Sequence, residues 1–340
     1  MSMRNVHHLL RLVVCIVSLV LALPAFTSSA QGSARLVGRA VLPADTLADG
    51  PRSGQALAPQ INGLKLPFDS QPVGSVSAIL PGDYGTWLWL SEGVFDTPQN
   101  SGDYLLRIYT VQISLHSANG GDGTVAVLDW RTLSDPSKKI TKGIKNGNTS
   151  TRELTGADFD PRAMQRAGDG SFWVAEASGP SLLHFNADGR LLEAPIALGG
   201  AGALQGLGIQ PDGNLLVAQS ASGNNIMLRV FEVGSHKIGS AKSSYPLDNA
   251  AYSIGDLTVI SSQQALAVEQ DKQQNKDAKF KRVFLVDYSK NPAIKTPLID
   301  LLNVSDQDGV SGAKVLNPPP NAFGLGQPFK FPYRDVAAVY

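Results

Sequence analysis

Short apolar runs closed by turn signals recur along the chain from about residue 75 to its end. Residues 169–176 (DGSFWVAE) and 212–219 (DGNLLVAQ) share an Asp-Gly turn, an apolar stretch and a polar last residue, and they start 43 residues apart. That spacing is the size of one propeller blade. A shorter strand precedes each, with Arg162 and Gln205 at the same offset, so the unit reads strand, Asp-Gly turn, strand. The same template fits residues 75–92 with a longer turn and residues 255–270. Between the copies lie further strand-like runs, such as LLRIYTVQI, SLLHF, IMLRVFEV and FKRVFLVDY. Four meandering strands per unit predict an all-β chain folded as a β-propeller of four-stranded blades. A sandwich is the competing architecture, but the shared internal register favours radial repetition. A fifth copy, RDVAAVY, begins at Arg334 and stops at Tyr340 before its turn. The ring is therefore expected to be incomplete or partly open at its C-terminal blade, with residues 35–42 returning to pair beside residues 335–340.

Composition changes this picture little. The 34 Gly and 21 Pro suit many short elements joined by tight turns. With 29 basic and 29 acidic residues, the chain lacks the charge of a polybasic nucleic-acid binder. The N-terminus reads differently. Arg4 and Arg11 precede an apolar run from residue 12 to 26, and Thr27-Ser28-Ser29-Ala30 supplies small residues for a signal peptidase. The run is shorter than the ~20 residues of a spanning helix. Residues 1–30 are thus expected to be a signal peptide cleaved after Ala30, with residues 31–340 forming one secreted or periplasmic propeller domain and no transmembrane segment. Cleavage would remove Cys15, the only cysteine, and with it any thiolate chemistry.

Register indicates which residues should meet. First strands of successive blades line a propeller's axis, which places Ser75, Arg162, Gln205, Asp256 and Asp335 on one ring. A second ring, at the far end of the next strand, holds Glu92, Glu176, Gln219 and Glu269. From this register Glu176, Glu269 and Asp256 are expected around one central depression, and Arg162 is expected to pair with Asp160, Asp256 or Asp335. Convergent carboxylates raise one another's pKa or recruit a hard cation, and either suits ester or phosphoester hydrolysis. The alternative is a solvated rim whose polar residues cap strand ends. Lys279 and Lys281 could meet an anionic substrate, or could simply guard a strand edge. His184, in SLLHF, reads as a packed or surface residue. A G-x-S-x-G elbow, a Walker loop and a His-rich metal spacing are all missing from the sequence.

The stretch LTGADFDPRAMQRAGDGSFWVAEASGPSLLHFNADGRLLEAPI (residues 154–196) resembles the secreted bacterial family described as esterase-like activity of phytase. Further likenesses are GRAVLPADTLADGPRSGQ, NSGDYLLRIYTV and AKFKRVFLVD. The resemblance implies a propeller whose Glu and Asp residues carry esterase-like or phosphoester-hydrolysing activity on a small anionic or ester substrate. The departures fall on carboxylates. Asp-Phe-Asp-x-Glu-Ser of the family is here Asp158-Phe159-Asp160-Pro161-Arg162-Ala163, and Leu-Glu-Gly-Leu is Leu204-Gln205-Gly206-Leu207. What persists implies Asp160, Glu176 and Glu269 as catalytic residues. Asp158, Asp256 and Asp271 are then ligands of a divalent cation such as Ca2+, and Arg162, Lys279 and Lys281 contact substrate. A degenerate propeller that binds a ligand or partner without catalysis is the other expectation, suggested by Arg162, Ala177 and Gln205.

Overall fold

The computed structural model describes residues 34–57, 60–61, 64–74, 76–92, 95, 97–200, 202–312 and 324–340. The proposed signal and Ser75 lie outside the described residues. Four four-stranded antiparallel sheets are arranged as propeller blades. Blade I contains Val76–Pro81, Trp87–Ser91, Arg107–Ser114 and Thr124–Thr132. Blade II contains Pro161–Arg166, Phe172–Glu176, Ser181–Phe185 and Ile196–Ala197. Leu204–Ile209, Leu215–Ser220, Asn225–Glu232 and Lys237–Pro246 form blade III. Blade IV is Ser253–Val259, Gln264–Gln270, Lys281–Asp287 and Ile294–Asp300. No helix among the described residues is long and apolar enough to cross a membrane.

The repeated turn has one chemistry. In blade II the Asp169 carboxylate accepts the Ser171 N–H, and in blade III Asp212 accepts that of Asn214. Gly170 and Gly213 take φ of +84° and +83°, a backbone region in which a side chain would be strained.

First strands of blades I to IV are neighbours in that order, and apolar faces fill the wedges between them. Leu90, Ile108, Phe172 and Leu183 lie between blades I and II, Trp173, Val217 and Phe231 between II and III, and Leu228, Leu257 and Phe284 between III and IV. Both end faces are covered by chain outside the blades. Val336 covers Val268 and Val283 of blade IV, and Ala48 and Val73 pack on Trp89 and Tyr109 of blade I.

Residues 334–340 run where a fifth first strand would stand, yet side chains hold their backbone. Gln270 exchanges two hydrogen bonds with the Val336 backbone, Asp256 accepts the Val339 N–H at 2.7 Å, and Thr258 donates to the Val339 carbonyl. The approach is close. A Cβ on Gly255 would stand 2.1 Å from the Val336 oxygen.

Residues 35–42 do not pair beside this segment, contrary to the expectation from sequence. Leu36 N–H bonds to Ser305 beyond blade IV, Arg39 exchanges two bonds with His116, and Val41 N–H bonds to Gly123 at the outer strand of blade I. The physical reason is that blade IV side chains already occupy backbone groups of residues 336 and 339. The N-terminal segment instead finds backbone partners along the outside.

Each blade carries a β-bulge at the same place in its first strand. The register shifts lie between Val76 and Ala78, opposite Ala175 and Glu176, between Leu204 and Gly206, and between Ile254 and Asp256. The extra residues are Ser77, Arg162, Gln205 and Gly255. All four line one central depression of about 560 Å³. A bulge kinks its strand and re-aims one residue. The sequence-derived ring consequently shifts from Ser75 to Ser77 in blade I and from Asp256 to Gly255 in blade IV.

Candidate functional site

Charged residues cross the depression with alternating sign. Arg162 Nη2 lies 3.0 Å from Asp160 Oδ2, and its Nη1 is 3.8 Å from Glu92 Oε1. Arg334 bonds Asp335 at 2.8 Å. Asp335, by hydrogen bond and by charge, holds the Arg334 guanidinium above its ordinary pKa against the opposing effect of burial, and Glu92 adds to the rise. The order Asp160, Arg162, Glu92, Arg334, Asp335 thus joins blade II, blade I and the C-terminal segment, with Lys272 on the same wall. Arg162 is 43% exposed and Arg334 60%, so these pairs are worth about 0–1 kcal/mol each and can exchange partners. Asp160 also has a buried oxygen, Oδ1, with no hydrogen-bond partner.

The other sequence-derived site residues go elsewhere. Glu176 accepts the backbone N–H groups of Asp160, Ser178 and Gly179 as well as the Ser178 hydroxyl. Glu269 is fully buried and accepts the Tyr245 hydroxyl, the Asp248 N–H and the Lys295 ammonium. Gln219, at the matching position of blade III, donates to the Gly199 and Gly202 carbonyls. In three blades, therefore, the residue near the end of the second strand grips the loop that enters the first. Glu176, Glu269 and Asp256 do not gather around the depression, because Glu176 and Glu269 are spent on loop backbone and neighbouring side chains and Asp256 on the C-terminal segment.

The three expected cation ligands are likewise separate. Asp158 accepts the Lys145 and Thr155 N–H groups, and Asp256 holds Val339. Burial pushes Asp271 up, but the N–H groups of Lys279 and Phe280 and the Lys281 ammonium outweigh it and leave the carboxyl below its usual range. Among the described residues no three His, Cys, Asp or Glu side chains are placed to hold an ion. These aspartates do not fit a shared Ca2+ site. Lys281 is fully buried, pairs with Asp271 at 3.3 Å and donates to the Arg334 carbonyl. Lys279 is exposed and bonds the Lys276 carbonyl. Of the three expected substrate contacts, Arg162 alone lines the depression.

Sequence reasoning missed Lys272 and Arg334. The signal for Arg334 was its place beside Asp335 in the fifth copy of the strand pattern. It also missed a Ser171, His184, Glu193 array. His184 Nε2 lies 2.9 Å from Ser171 Oγ and Nδ1 2.8 Å from Glu193, with the ring stacked on Trp173. The Ser171 hydroxyl donates to Asp169 at 2.6 Å rather than to the imidazole. That arrangement anchors the hairpin and leaves no activated serine.

The profile of the family described as esterase-like activity of phytase matches residues 71–318, which takes in all four blades. The chain belongs to the phytase-like family. No functionally curated protein matches it significantly. Among solved structures, this phytase-like chain is similar to a virginiamycin B lyase from Staphylococcus aureus at 13% identity, over 65% of this chain and 55% of that one, with a TM-score of 0.34. It is also similar to a putative 6-phosphogluconolactonase from Bacteroides uniformis, at 13% identity over 71% and 74% of the two chains, TM-score 0.38. The chain spans a little over half the length of the lyase. Function in this phytase-like propeller has to be argued from its own site.

Proposed function

We propose that this phytase-like chain is an exported hydrolase of small anionic esters or phosphoesters, which it takes into the central depression. The observation carrying this reading is the alternating charge array of Asp160, Arg162, Glu92, Arg334 and Asp335 across the four-blade axis. An anionic substrate oxygen competes for Arg162 and Arg334, whose exposed ion pairs cost little to break. Arg162 then turns from Asp160 to the substrate. The carboxylate so released accepts a proton from an attacking water, while the two guanidinium groups stabilise the charge that develops on the ester or phosphoryl oxygen. The water's oxygen bonds to the carbonyl carbon or phosphorus, the ester C–O or P–O bond breaks, and Asp160 returns its proton to the departing alcohol.

A second reading, ligand binding without turnover, is favoured by the structural use of Glu176 and Glu269. A screen of phosphomonoesters, phosphodiesters and carboxylic esters, joined to calorimetry with the same compounds, separates the two. Hydrolysis that falls about 100-fold or more in Asp160→Asn supports the enzyme. Binding without turnover supports the receptor, and hydrolysis unchanged in Asp160→Asn overturns the assigned site.

A further inference from the structure

Blade I carries a second constellation, on the face turned away from blade II. Trp89 and Tyr109 are directly opposed across two strands, and Arg107 stands two residues before Tyr109 on the same face. Arg107 is only 3% exposed. Its Nη2 donates to the Asp49 carbonyl at 2.8 Å and its guanidinium lies 5.1 Å from the Trp130 ring centre, but among the described residues Nε and Nη1 have no hydrogen-bond partner. The Tyr109 hydroxyl, Trp89 Nε1 and Ser77 Oγ are also buried without one.

All of these groups can donate a hydrogen bond, and three of the five can only donate. Burying a guanidinium that cannot lose its proton, without a counter-charge, is strongly unfavourable. Water would satisfy the donors but bring no negative charge. An oxyanion answers both.

We propose that Arg107, Tyr109 and Trp89 form a buried site for a small tetrahedral oxyanion such as phosphate or sulfate. The site is separate from the Arg162 array, since Arg107, Tyr109 and Trp89 are not among the residues that line the central depression. Burial pushes the Tyr109 phenol up, while the Arg107 charge and the approach of its side chain to the phenol pull the other way, so the two groups face each other.

The test is thermal unfolding of the full chain in dilute chloride buffer titrated with inorganic phosphate or sulfate. A saturable rise in Tm with either oxyanion is expected, because a ligand of the native state alone stabilises it. Tyr109→Phe, which removes only the hydroxyl, and Trp89→Phe, which removes the indole N–H at some cost in packing, should each weaken the midpoint by about tenfold. Arg107→Met should abolish the response that persists in an Arg162→Ala background, in which the central depression has lost one of its own anion contacts. A flat titration, a response that survives both aromatic substitutions, or one lost with Arg162→Ala would overturn the proposal. So would a crystal grown in phosphate that shows only ordered water against Arg107.

Discussion

Asp256 shows how a carboxylate can look like a cation ligand in sequence and be structural in the fold. Burial raises its pKa to about 6, although the Val339 and Leu257 N–H groups and Thr258 each pull it down. The folded state therefore holds its proton to higher pH than the unfolded chain does. Its contribution to stability is complete below about pH 4 and is lost as pH rises through 6. A shift of this size corresponds to roughly 3 kcal/mol. Asp256→Asn keeps an oxygen for the Val339 N–H and removes the charge. Its Tm should exceed that of the parent at pH 8, and the gap should close towards pH 4 in a calorimetric pH series. A gap that is constant or widens on acidification would contradict the assignment. Arg162 and Gln205 were legible as axis residues because their strands follow the repeat to the bulge. Asp256 was misplaced because a bulge inserts one residue, and a shift of one in a strand sends a side chain to the other face.

At the scale of elements, strands and turns were readable because alternation and Asp-Gly chemistry act locally. The loop partner of each second-strand terminus was not, since it lies 16 to 21 residues away in a loop whose polarity the pattern does not encode. That polarity explains the residue types. Gln219 faces the carbonyl oxygens of Gly199 and Gly202 and must donate, whereas Glu176 faces N–H and O–H groups and must accept. Glu176→Gln would aim an amide NH2 at donors, at a cost of about 1–3 kcal/mol in urea unfolding. Glu269→Gln should cost more, about 3–5 kcal/mol, because the ammonium of the mostly buried Lys295 loses its closest buried counter-charge. Adding Lys295→Met to Glu269→Gln should recover part of that loss. If the two glutamine variants were equally mild, the loop-gripping account would fail for blade IV.

For the whole molecule, the wedge between blades IV and I is closed by pieces that belong to no blade. Residues 334–340 lie on blade IV, the Tyr340 ring meets Trp87 of blade I edge-on at 5.9 Å, and residues 36–41 tie Ser305 to blade I from outside. The same C-terminal segment carries Arg334 and Asp335 to the depression, so closure and site are one structural problem. Gly255 is where they meet. Because a Cβ there would stand 2.1 Å from the Val336 oxygen and 2.5 Å from Gln270 Nε2, Gly255→Ala has to push the segment off the blade. The segment's backbone is held by side chains rather than by a strand ladder, so it should yield before blade IV does. Amide exchange in Gly255→Ala should accelerate at residues 336 and 339 while the second strands of blades I to III keep their protection. Binding of an anionic ligand in the depression should weaken in the same variant, since Arg334 leaves with the segment. Retained protection at Val336 and Val339, or exchange that accelerates equally in all four blades, would show that residues 334–340 do not act as a separable closing segment.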